Sequence, residues 1–520
     1  MFGGHSFAGG VFGAKITPSL NIFFGFGLSI DFAYRIRVAT AEFIDQESLL
    51  PFSDALSEPL DFTWSMGNRS GFGGFITGRG STVIDNLDGR YDNLTQRYTT
   101  DGQLLEIRLG PLGTPKATWP VVLRGLSSGE FIDDTKFEIS VEDNAYKFDV
   151  PAQANIYAGT GDLQGNEDLN GKPRPLAFGW CLNVTPALVV PAELLYQVHD
   201  GAVQAIAAVY AQGYPLDVHA DYPDIAALRA AVIPAGAFAT CKARGHFRLG
   251  AAPAGTITAD VQGDVAGGVF AQTTVQIVRA LMQRSAELAG PSDIYLPSLE
   301  TLDRVQPAPV GIFVGHDQSP TIADVIGQLI DAIGAYAGFR RDGKFHVGRV
   351  DFPQGPPTAR FDKTVFDPNP QKQRLLDSVW PPPAKWKVGY QRNYTVMSDP
   401  AAAISDARRS FLAAEYRYAV AEAPAVRVDH PFGKEPDAVQ GFFRDKADAE
   451  AEAARRLALW RRSLGSYSFG VPDRDAALLN VGEQIFVRHD RGDLIGGRYM
   501  MVTEINFKAG SQAATVKAFG

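Results

Sequence analysis

The residues most able to do chemistry in this chain are few and scattered. His199 and Asp200 are adjacent, just ahead of a stretch in which Val203, Ile206 and Tyr210 recur at helical spacing. A histidine beside a carboxylate is the raw material of a general base. Here Asp200 reads more simply as the N-cap of that helix, and no G-x-S-x-G turn supplies a nucleophile. His219, His246, His316 and His346 lack the H-x-x-x-H or H-x-x-E-H spacing that aims two imidazoles at one metal. His219 and His246 can reach Cys241 only through folding. Cys181 and Cys241 are the 2 cysteines. That number excludes a four-cysteine zinc or iron–sulfur site and a disulfide-stapled scaffold, and both are expected as buried free thiols.

Asp85, Asp88 and Asp92 crowd around Gly89, but a calcium loop needs closer oxygen spacing and a terminal bidentate Glu. They read as a tight turn. The Gly/Phe stretch around 24–28 and GNRSGFGGF (67–75) lack the Lys-Ser/Thr of a phosphate loop. Their glycines suit tight turns and close packing. No carboxylate pair has a spacing that identifies a glycosidase. The sequence therefore nominates no catalytic residue, no cofactor and no metal ligand.

The elements that would position such groups are mostly strands. KFEISVED (136–143) alternates Phe137, Ile139 and Val141 against polar residues, the period of a half-buried strand. LLEIRLG (104–110) follows an Asp-Gly turn, VVLRG (121–125) lies between, and STVIDNLDGRYD (81–92) runs into another turn. Strands at this spacing predict a sandwich or barrel over 31–154. Residues 155–244 change character, with a polar glycine-rich loop and two short helical patterns. One carries Val203, Ile206 and Tyr210. The other carries Ile225, Leu228 and Val232, with Asp221 as its N-cap. They read as an insertion, after which TITADV (256–261) returns to complete the first β region near 245–265.

Residues 266–375 read as α/β. A helix is expected from about Thr273 to Leu288, and a second behind a Thr321–Asp324 capping box, closed by Gly338. A hairpin follows around Asp342-Gly343. WPPPA (380–384) is a stiff junction into a second β region, 376–520, holding one helix at about 440–464 with an Ala449–Ala453–Leu457–Trp460 stripe and Gly465 past its end. The predicted class is α+β, mainly β.

At 520 residues with 45% hydrophobic and 21% charged content, the chain has ample core for several domains. Net charge is −9, which removes the broad attraction that drives phosphate-backbone binding. Residues 1–30 carry glycines and phenylalanines with one early cation, Lys15, and fit neither a signal peptide nor a membrane span. They read either as an arm that orders against a partner or against its own domain, or equally as a frayed terminus.

Three stretches resemble one family. IDNLDGRYDNLT…YTTDGQLLEIRLG…VLRGLSSGEFIDDTKFEISVED is similar to the first barrel of tail-tip (baseplate) hub proteins of tailed bacteriophages and gene transfer agents. GDLQGNEDLNGKPRPLAFG…ATCKARGHFRLGAAPAGTITADVQGD looks like the insertion of prophage tail proteins. PVGIFVG…TIADVIGQLIDAIGAYAGFRRDGKFHVGRV…LLNVGEQIFV…GGRYMMVTEINF…ATVKAFG resembles the hub's α/β domain and closing barrel.

The resemblance implies two hub-type β-barrels and a homotrimer whose three copies make a pseudo-sixfold ring. Such a ring would join the sixfold tail tube to a threefold central fibre or spike and form the channel for DNA. Implied partners are a distal tail protein and a tape measure protein, with transient passage of DNA and no sequence-specific nucleic-acid binding. The implied location is the virion tail tip, after assembly in the bacterial host cytoplasm. Expected interface residues are Phe2, Phe7, Phe12, Phe23 and Phe24 of the arm, Arg124, Ser127 and Phe131 of an RGLSSGEF turn, and Phe486 and Tyr499 of the 484–507 hairpin. Two rival readings are a tail-associated cell-wall or capsule hydrolase and a glycan-binding adhesin with Trp180, Trp380 and Trp386 as its platform.

Overall fold

A computed structural model describes residues 19–24, 37–67, 71–93, 99–284, 291–362, 371–373, 375, 379–462, 464–509 and 513–520. It is mainly β with some helices. The alternating sequences behave as read. In the Lys136–Glu142 strand Phe137, Ile139 and Val141 are buried while Ser140 faces out. That strand pairs on one side with Thr77–Asp85 and on the other with Val121–Ile132. The last of these is one long strand that includes the whole RGLSSGEF segment, which was expected to be a turn. A register shift between Ser127 and Gly129 lets it bend without ending.

Twelve strands form one curled sheet. Its order runs Ser19–Phe24, Leu104–Leu109, Val121–Ile132, Lys136–Glu142, Thr77–Asp85, Leu56–Ser65, Arg498–Lys508, Ala513–Phe519, Ser466–Pro472, Gln371–Gln373, with Gln484–Val487 and Ala359–Phe361 branching from the 498–508 strand. Six strands thus come from residues 19–142 and six from residues 359–519. They meet at a seam where Trp64 lies opposite Ile505 and Phe62 opposite Phe507, antiparallel. All four side chains are buried there, and the Asn506 amide donates to the Thr63 hydroxyl at 2.7 Å.

The middle of the chain departs from expectation. Val203–Ala211, read as a helix, is a strand. An extra residue near Ala207 shifts the register between Ile206 and Ala208. That bulge buries Val203, Ile206 and Val209 at intervals of three, which imitates a helical period. The Ile257–Asp264 strand, expected to complete the first β region, instead pairs with Leu176–Val184 and Val203–Ala211. These strands belong to one five-stranded sheet, and Ala187–Val190, Leu195–Gln197, His246–Leu249, Ala237–Cys241 and Asp217–Asp221 form a second.

The helix at Ile225–Ala230 is capped by Asp224, not Asp221. Asp221 instead accepts from the Thr240 hydroxyl and the Lys242 amide. Val232, beyond the helix end, is exposed rather than on its buried face.

The α/β stretch keeps its caps and loses some boundaries. The Thr274–Gln283 helix has a Thr273–Gln276 capping box and stops short of Leu288. Ile322–Ala332 has the anticipated Thr321–Asp324 box, but it ends at Gly334, whose φ of +59° turns the chain out of the helix. Gly338 lies inside the next strand, Ala335–Phe339. The Lys446–Trp460 helix buries Ala449, Ala453, Leu457 and Trp460, and its C-cap is Arg461 rather than Gly465. Among the described residues no helix is long and apolar enough to cross a membrane.

Candidate functional site

The expected interface residues fall into three groups. Phe2, Phe7 and Phe12 lie outside the described residues. Phe23 and Phe24 sit on the Ser19–Phe24 strand, opposite Arg108 and Leu109 of a parallel neighbour. On the Val121–Ile132 strand, Phe131 is 56% exposed and Arg124 is exposed beside Glu106. Ser127 is 1% exposed, so the subunit's own interior covers it and it offers nothing to a neighbour. Phe486 and Tyr499 face each other across adjacent strands, ring centroids 5.1 Å apart, with the Arg360 guanidinium 4.9 Å from the Phe486 ring.

A different place gathers polar groups. His199 follows the Leu195–Gln197 strand and is buried. Its Nδ1 accepts from the Ala177 amide at 3.0 Å, so its proton is on Nε2, 3.1 Å from Asp264 Oδ1. Arg284 Nη2 is 3.2 Å from the same oxygen. Burial holds the His199 imidazole below its usual range, with the Asp264 hydrogen bond opposing it. The partner of His199 is therefore Asp264, not the adjacent Asp200. With both nitrogens engaged, this histidine is a structural link. Asp200 caps no helix; its Oδ2 accepts from the Asn155 amide at 2.7 Å.

Beside this link lies a cleft of about 550 Å³. Its walls come from the 155–175 loop, the start of the Ile225–Ala230 helix, and the turn between the Ala237–Cys241 and His246–Leu249 strands. The loop is held by Tyr157, whose hydroxyl donates to Gln197 Oε1 at 2.6 Å and whose ring lies 5.0 Å from the Arg174 guanidinium. The helix is held by Arg248, whose guanidinium donates to the carbonyls of Leu228, Arg229 and Ala231. Gly245 makes the turn. Its φ is +65°, and a Cβ there would lie 2.5 Å from the His199 carbonyl.

His246 lines the cleft with Arg174, Arg244 and Arg284. Its Nδ1 donates to the Arg244 carbonyl at 2.6 Å, and its Nε2 has no partner. Burial pushes its pKa down to about 4, so at neutral pH the Nε2 is an unprotonated acceptor. The sequence offered no local signal for this grouping, because its members span 110 positions from Arg174 to Arg284.

The other sequence candidates resolve into local structure. Asp88 pairs with Arg90, Asp92 accepts from Asn86, and Asp85 accepts from the Leu87 amide. Cys181 and Cys241 are buried and free, and burial raises both thiols. His246 faces Cys241 across two strands, while His219 is exposed on another. Among the described residues no three His, Cys, Asp or Glu side chains converge on a metal position. Of the expected aromatic platform, Trp386 is buried, Trp180 lies under the Arg444 guanidinium at 3.9 Å, and Trp380 packs edge-on to His430.

No family model matches the chain, and no curated protein does. Among solved structures it is similar to the tail protein from Neisseria meningitidis MC58, at 10% identity over 90% of this chain and 96% of that one, TM-score 0.40. It is also similar to a chain of the native gene transfer agent virion, at 14% identity over 71% and 88%, TM-score 0.42. A third is the prophage MuSo2 43 kDa tail protein from Shewanella oneidensis, at 10% identity over 88% and 93%, TM-score 0.35.

Proposed function

We propose that this chain is a structural protein of a phage-type tail: the trimeric hub of a tail tip or baseplate, which matches a sixfold tube to a threefold fibre or spike and encloses the path of DNA. The observation that carries this reading is the two-ended sheet, with six strands from residues 19–142 and six from 359–519 joined at the 62–64/505–507 seam. Three such chains would present six half-sheets around a ring. The three resembling stretches include strands of both halves. Residues 155–244 then form an insertion and residues 266–358 an α/β region between two barrel-like halves, the strands at 359–361 and 371–373 already belonging to the second half.

Phe131, Leu87, Ile44 and Leu49 are exposed in the first half and are the proposed apolar contacts between subunits. Arg124 and the Phe486–Tyr499 pair join them as interface candidates; Ser127 does not. A distal tail protein, a tape measure protein and a central fibre or spike are the proposed neighbours. Assembly in the host cytoplasm and residence at the virion tail tip follow from the same role. The net charge of −9 suits a bore through which DNA passes without adhering. The role needs no turnover.

Sedimentation or native mass measurement of the full chain tests the proposal. The expected particle holds three copies, and Phe131→Asp shifts it toward smaller species. A chain that stays monomeric at micromolar concentration, alone and with a distal tail protein, overturns the hub reading.

A further inference from the structure

We infer that the cleft bounded by the 155–175 loop and the His246 turn is a binding site for an acidic sugar, a hexuronic-acid residue of a polysaccharide. This site belongs to a single chain and does not depend on the trimeric reading.

The inference starts from which polar groups are already engaged. Arg284 is committed to Asp264 and Arg174 to Gln164, at 3.2 Å in each case. Arg244 is exposed at the rim and its side chain has no hydrogen-bond or ion-pair partner among the described residues, so it is the guanidinium most open to a carboxylate. The acceptors point the other way. Asp200 gives one oxygen to Asn155, and Asp224 gives one to the Ala227 amide. In each, the second oxygen has no partner among the described residues. His246 Nε2 is covered and has none either.

Unpaired acceptors beside an unpaired guanidinium call for a ligand that carries an anion and several donors. Phosphate brings the charge but too few donors for the three acceptors. A neutral sugar brings donors and leaves Arg244 without its counter-charge. A sugar acid brings one carboxylate and a ring of hydroxyls. Leu163 and Ile225 offer apolar surface for its C–H face. The volume of about 550 Å³ falls within the roughly 300–1,000 Å³ of small-molecule sites.

Titration calorimetry of the full chain with D-galacturonate and its dimer tests this, with galactose and inorganic phosphate as comparison probes. The expected result is saturable binding of galacturonate, at least tenfold weaker binding of galactose and of phosphate, and at least a tenfold loss in Arg244→Gln. Asp200→Asn, a second variant on the opposite wall, is expected to weaken binding threefold or more. Lys446→Gln, on a distant helix, leaves it unchanged. Circular dichroism of each variant separates lost binding from lost fold. Galactose binding as well as galacturonate, phosphate competing on equal terms, full binding by a folded Arg244→Gln chain, or no saturable heat with any probe overturns the proposal. Each of these can occur whatever the particle mass, so failure here is distinct from failure of the hub reading.

Discussion

The twelve-stranded sheet and the paired five-stranded sheets are built from similar strands but keep different groups inside. At the seam and along the first half, the interior is Phe62, Trp64, Ile139, Val141, Ile505 and Phe507. In the middle region Asn183, Gln197, His199, Thr258 and Asp264 are buried as fully as the aliphatic residues around them. Asn183 shows what this costs and secures. With φ at +56° it donates to Asn393 and to the Thr395 carbonyl, and it accepts from Thr258 and Arg408. Apolar burial is non-directional and tolerates small shifts. A buried polar network is directional and holds one arrangement. The first lets the two ends of the chain close over one broad interior, and the second holds the groups behind the cleft in one arrangement.

The largest test of that contrast is Asp264→Ala. It leaves Arg284 and the His199 Nε2 proton without their acceptor in a buried place, and a loss of about 3–5 kcal/mol is expected from urea unfolding. A loss below about 1 kcal/mol would mean that the middle network does not hold its region together.

The twelve-stranded sheet also buries polar groups, Thr82, Ser127 and Thr503 among them, and a buried carboxylate beside it supplies the next test. Asp143 is buried; its Oδ1 caps the Asn144–Phe148 turn and its Oδ2 has no partner. Burial raises its pKa from 3.8 to about 7. The native state thus holds a proton that the unfolded chain releases, and this contribution to stability is full below 3.8 and lost as pH climbs to about 7. Asp143→Asn keeps the cap and removes the titration. Relative to the parent it should gain on the order of 3 kcal/mol between pH 4 and pH 8. The difference between the two chains is the quantity to measure. His246 and His346, held neutral by burial at about 4 and about 3, destabilise both chains together as pH falls below 6.5.

Smaller effects sharpen the comparison. Ile505→Val at the seam should cost about 0.5–1.5 kcal/mol, with the first and last strands still melting in one transition by hydrogen exchange. Two separate transitions would show that the halves fold apart. Arg79→Ala, at an exposed pair 4.0 Å from Glu142, should change stability by less than about 0.5 kcal/mol.

Much of the strand content was legible. The alternation at 136–142, the Asp342-Gly343 hairpin and the 321–324 capping box are signals within a few residues, and the structure contains all three. The helix read at 203–211 failed because a bulge gave a strand a spacing of three. The N-cap reading of Asp200 failed with that helix, and the carboxylate that His199 does meet, Asp264, lies 65 positions on. The cleft was invisible for the same reason.

By itself the sequence determined the alternating strands such as 136–142, the start of the helix behind the Thr321–Asp324 box, and that the chain is acidic with only two thiols. Those properties arise from periodicity, capping and composition, which act over one or two turns of chain. Only the tertiary structure decided that strands from the two ends share a sheet, that Ser127 is covered, and that Arg244, Asp200 and His246 line one cleft. Such contacts join residues tens to hundreds of positions apart. Their loop-closure cost is met by the burial of the whole interior, and no local pattern records it.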